Sequence, residues 1–101
     1  MTSMRTWHDI YRKAADTIGG GVTVSKKELR QVCAQVGGSE YDPQSQGPAD
    51  YTGVRLADGS IAKKPTQDHW TDRYPIFFLD AGRGLYTVLF PKERVPAKCS
   101  I

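Results

Sequence analysis

Cysteine, histidine and methionine are scarce in this chain of 101 residues, with two of each. Cys33 sits inside an apolar helical pattern and Cys99 lies near the end, and neither belongs to a C-x-x-C pair. A disulfide framework and a zinc site are therefore not expected, and both thiols are expected free in a reducing compartment. His8 and His69 are far apart and outside any ligand spacing, so no metal and no cofactor is expected. No apolar run approaches the ~20 residues that span a bilayer. The opening stretch MTSMRTWHDIY lacks the apolar core of a secretion signal. A cytoplasmic protein without a membrane partner is the expectation.

Catalytic signatures are missing too. There is no G-x-S-x-G, Walker or H-E-x-x-H motif. The adjacent pairs His8-Asp9 and Asp68-His69 are too close in sequence to meet productively. Asp50, Asp58, Asp68 and Asp72 stand mostly in turn-like sequence, where aspartate serves the backbone. Gly19-Gly20-Gly21 follows a helical pattern instead of joining a strand to a helix, so it reads as a helix stop and not as a phosphate loop. A binding protein, not an enzyme, is expected.

What is present is charge in blocks. Residues 1–36 and 82–101 each carry a net +3, whereas residues 37–81 carry −3. The basic ends suit phosphates and the acidic middle does not.

The periodicity predicts a helix over 6–18, with Trp7, Ile10, Tyr11, Ala14, Ala15 and Ile18 on one stripe and Thr6 as its cap. Val22-Thr23-Val24 suits one short strand. Ser25 and Glu28 then form the S-x-x-E capping box of a second helix, with Val24 and Leu29 at the staple positions. Its inner face is Leu29, Val32, Cys33 and Val36, and it ends at Gly37-Gly38. Residues 38–47 read as a polar loop, Pro48 to Leu56 as a short helix opened by proline, and 61–73 as an extended excursion anchored by Trp70. Two β-rich runs, 76–79 and 85–90, flank the loop Asp80-Ala81-Gly82-Arg83-Gly84 and predict a hairpin. The fold class expected is α+β, with two or three helices and a small antiparallel sheet. One domain is expected over 1–91, with a loose tail over 92–101.

The stretch Val22 to Leu29 resembles the strand and S-x-x-E-L helix opening of bacterial winged helix-turn-helix domains. Tyr74-Pro75-Ile76-Phe77-Phe78 with Gly82-Arg83-Gly84-Leu85-Tyr86 is similar to their closing hairpin, the wing. Gly47-Pro48-Ala49-Asp50-Tyr51 resembles a P-x-D-Y segment of small uncharacterised domains that accompany restriction endonucleases. The resemblance implies duplex DNA as partner. Lys26, Lys27 and Arg30 of the second helix would then hold phosphates, Thr52 and Arg55 would approach bases, and Arg83 would sit at the wing tip. The alternative is a small phage- or plasmid-encoded inhibitor that docks on a host nuclease or another nucleic-acid-binding protein. Its surface would be the acidic middle, with Glu40, Tyr41, Asp42, Asp50 and Tyr51. The oligomeric state is left open.

Overall fold

The computed structural model describes residues 3–42, 47–63 and 73–97. Helix α1 spans Met4–Ile18, strand β1 Thr23–Ser25, helix α2 Lys26–Gly37, and strands β2 to β5 span Thr52–Arg55, Ile61–Lys63, Phe78–Gly82 and Leu85–Val88. The molecule is mixed α+β, with two α-helices against one five-stranded sheet of order β1-β5-β4-β2-β3. Three neighbouring pairs are antiparallel, and β2 runs parallel to β4. The sheet is thus larger than the small antiparallel one expected, and it is mixed.

Each boundary has a local cause. Helix α1 begins two residues earlier than expected because Ser3, not Thr6, caps it; the Thr6 N–H donates to Ser3 Oγ at 3.2 Å. It stops at Gly19, whose φ of 100° lies where L-residues rarely go, with the Gly19 N–H reaching back to Ala15 O at 2.9 Å. Helix α2 carries the expected capping box: Ser25 Oγ accepts the Glu28 N–H at 3.1 Å, and the Ser25 N–H donates to Glu28 Oε1 at 3.2 Å.

The helical stripe of α1 (Trp7, Ile10, Tyr11, Ala14, Ala15) meets Leu29 and Cys33 of α2 and the inward residues Val24, Phe78 and Val88 of the sheet. Burying each large side chain of this kind is worth ~1.5–3 kcal/mol. Trp7 is in the core, 2% exposed, and Trp70 lies outside the described residues.

Tyr51 occupies the middle of an aromatic cluster. Its ring stacks on Tyr11 at 4.4 Å and on Phe77 at 6.0 Å, and it meets Tyr74 at 5.2 Å. Such contacts add to plain burial.

Three segments differ from the sequence reading. The short helix expected from Pro48 to Leu56 is a 3₁₀ turn over Pro48–Tyr51 followed by β2. Parallel pairing with β4, through Thr52 opposite Phe78 and Gly53 opposite Leu79, outweighs the local helical reading. Gly53 fits there because a Cβ would stand 2.6 Å from Ala62 O and 3.1 Å from the Ile76 methyls. The start of the expected excursion is strand β3, and residues 64–72 lie outside the described set. Residues 92–95 of the expected loose tail are tied down: Val95 exchanges two backbone hydrogen bonds with Ile76 at 2.9 and 3.2 Å, and Pro91–Glu93 forms a 3₁₀ turn. Among the described residues no helix is long and apolar enough to cross a membrane.

Candidate nucleic-acid interface

Strand β1 hands the chain directly to α2, so whatever holds β1 also places the start of the helix. Ser25 pairs with Leu85 of β5, and the Lys26 N–H, one of the orphan donors of a helix start, donates to Gly84 O at 3.1 Å. The first turn of α2 is thereby fastened to the β4–β5 turn. Lys26 and Lys27 are exposed there, Arg30 follows one turn later on the face of Lys26, and Arg83 precedes the residue that accepts the Lys26 bond. Four of the six basic and polar residues expected to contact DNA therefore gather at one end of the sheet.

The hairpin tip itself is unusual. Arg83 has φ 53° and Gly84 φ 75°, the two positive values of a type I′ turn, and a bulge between Asp80 and Gly82 sets the register. Glycine or asparagine is the strain-free choice at the first of those positions, and an arginine there is disfavoured. Its side chain is exposed. Together with Ala49, Thr52, Asp80, Gly82, Gly84 and Tyr86 it borders a cleft of about 200 Å³. The Asp80 carboxylate in that cleft accepts the Gly82 N–H at 2.8 Å.

A larger open groove of about 600 Å³ runs along the outer face of α2, lined by Lys26, Lys27, Arg30, Gln31, Ala34 and Tyr41. Tyr41 closes it by folding back after the helix end, its ring edge-on to Trp7 at 5.6 Å. Arg30 Nε and Tyr41 Oη are both buried without a hydrogen-bond partner among the described residues. Burial raises the Tyr41 hydroxyl above its ordinary pKa, and the nearby Arg30 charge pulls it the other way.

The remaining expected contacts lie elsewhere. Thr52 is 1% exposed, and its hydroxyl donates to Pro48 O at 2.7 Å, so it has no surface to offer a base. Arg55 is exposed but engaged, donating to Gly59 O at 2.9 Å and to Glu93 Oε2 at 3.0 Å. Of the alternative acidic surface, Glu40 and Asp42 are exposed and Tyr41 is half-buried. The Asp50 carboxylate accepts the Gly47 N–H at 3.3 Å, and Tyr51 is fully buried. Those five residues therefore do not share one exposed face, because the aromatic cluster takes Tyr51 inside.

Sequence reasoning missed the groove. The outward positions 26, 27, 31 and 34, with half-buried Arg30 between them, could be read from helical spacing, but the return of Tyr41 could not. Among the described residues no three His, Cys, Asp or Glu side chains gather as a metal site. Burial pushes the Cys33 thiol up to about 12. Comparison with protein-family models, with curated proteins and with solved structures found no match to this chain.

Proposed function

We propose that this chain is a non-catalytic DNA-binding module that holds the phosphate backbone between the start of α2 and the β4–β5 turn. The observation that carries this reading is Arg83: a bare, exposed arginine at the tip of a turn whose dihedrals favour glycine. Backbone strain kept at an exposed position is a reason to look for a function of the side chain. Its neighbours support the same reading. Lys26, Lys27, Arg30 and Arg83 form no ion pair among the described residues, whereas Arg12, Arg55 and Arg94 are each answered by a carboxylate.

A winged-helix-like plan is the finer reading of the fold. The order α1, β1, α2 and closing hairpin follows it, with β1 beside β5 as the wing arrangement requires. The segment expected to supply a third, base-reading helix is instead a 3₁₀ turn and strand β2. Contact through phosphates, salt-sensitive and weakly selective, follows from that replacement.

Retention of duplex DNA near ~50 mM salt is expected, with log affinity falling linearly in log salt. The double change Lys26→Ala plus Arg83→Ala should lower that slope by about 2, one for each phosphate contact. An unchanged slope, or no duplex binding by the parent protein at low salt, would refute the reading.

A further inference from the structure

Resting on the phosphate-binding reading above, we infer that the groove between α2 and Tyr41 receives an unpaired nucleotide, so that the ligand is a nucleic acid with a single-stranded stretch. A phosphate held on a helix surface needs no recess. This groove is shallow and open, and its volume of about 600 Å³ leaves room for a small organic group to lie along it.

Its two ends differ in chemistry. Lys26 and Lys27 stand at the helix start, where a phosphate is attracted. At the other end stands Tyr41, an uncharged aromatic ring. A ligand that is anionic at one end and flat and neutral at the other is oriented by that difference. Ala34, small and exposed, leaves the middle of the groove open.

The make-up of the groove adds a second reason, since Tyr41 brings an aromatic ring beside Lys26, Lys27 and Arg30. In a duplex the base faces are stacked on each other. An unpaired base presents its face to an aromatic ring, while its phosphate lies in a basic channel. Tyr41 and the three basic side chains supply those two parts.

The test fills the groove without touching its charge. Ala34→Leu places a larger apolar side chain on an exposed helical position, and leucine is a good helix former, so the fold is kept. Parent and variant are titrated by fluorescence anisotropy with labelled oligothymidine of about 12 nucleotides, within the span one small domain covers, and with a blunt duplex of the same length. Ala34→Leu should weaken oligothymidine binding about tenfold, the loss of one base–aromatic stack of ~1.4 kcal/mol. Duplex affinity and the salt slope should stay as in the parent. Equal losses on both probes, or no loss on oligothymidine, would overturn the groove assignment. A parent that binds duplex and not oligothymidine would overturn it too, while leaving the phosphate-binding reading intact. Binding of oligothymidine alone, lost in Ala34→Leu, would support the groove and remove the duplex. Binding to neither probe would end both.

Discussion

Basic side chains are used in opposite ways at the two sides of this molecule. Where the C-terminal segment docks, they are part of the fold. Arg94 reaches Asp16 of α1 at 2.6 Å, donates from Nε to Leu89 O at 3.2 Å and lies 5.8 Å over the Phe77 ring; Arg55 joins β2 to Glu93. At the α2–hairpin side, Lys26, Lys27, Arg30 and Arg83 have no ion pair among the described residues, and one of them stands on a strained backbone. Exposed ion pairs contribute only ~0–1 kcal/mol each. The first set is consequently explained by its geometry, as fasteners of a segment that would otherwise fray. The second set has no comparable structural explanation, and its like charges repel one another. The difference separates residues that a variant would damage through folding from residues it would damage through binding.

The largest expected effect is in the core between these sides. Tyr51→Ala removes a ring that touches Tyr11, Tyr74 and Phe77 at full burial. It should cost ~3–5 kcal/mol, the usual loss for a buried aromatic, as measured by urea denaturation. A loss under ~1 kcal/mol would place Tyr51 outside the core and return it to the acidic surface.

That residue also marks the limit of what the sequence discloses. Local signals were enough for the elements with local causes: the Ser25/Glu28 box, the Leu29 and Cys33 stripe, the glycine stop of α1 and the closing hairpin. Placing Lys26, Lys27, Arg30 and Arg83 at one side took the winged-helix resemblance, which sets the helix start beside the hairpin, and not a local signal. Local signals failed from Pro48 to Leu56. The segment Thr52–Arg55 becomes a strand by pairing in parallel with β4, far along the chain, and Tyr51 is buried by rings from α1 and from residues 74 and 77. Neither partner is visible in the tetrapeptide itself. The groove was hidden for the same reason, since Tyr41 becomes its end only when the chain turns back over α2.

A middle-sized effect tests the hairpin directly. Arg83→Gly relieves a positive φ of 53°, and the gain is partly offset by the greater freedom of glycine in the unfolded chain. A net stabilisation of about 1 kcal/mol is expected, together with weaker DNA binding. Thermal melts and the salt titration read the two effects separately. A variant both less stable and equally tight in binding would show that Arg83 belongs with the structural arginines.

The smallest effect is a pH dependence at the aromatic cluster around Tyr51. His8 shares a hydrogen bond of 3.1 Å between its Nδ1 and Tyr51 Oη, and its ring lies edge-on to Tyr51 and Tyr74. Burial holds its pKa below the ordinary 6.5, with Asp9 raising it and Lys63 lowering it in lesser degree. A base whose pKa is depressed by folding takes up its proton more readily when unfolded. Its contribution is therefore complete above the unfolded value and declines as pH falls through it. Partial exposure of the ring keeps the effect small, below that of Arg83→Gly. Protonation also removes the Nδ1 lone pair, so the Tyr51 hydroxyl, which burial keeps protonated by raising its pKa, can no longer donate there. The melting temperature should thus fall between pH 7 and 5 by more in the parent than in His8→Gln, which cannot take up a proton at this position. Parallel curves for the two proteins would show that His8 titrates alike folded and unfolded, and that the aromatic cluster does not enclose it.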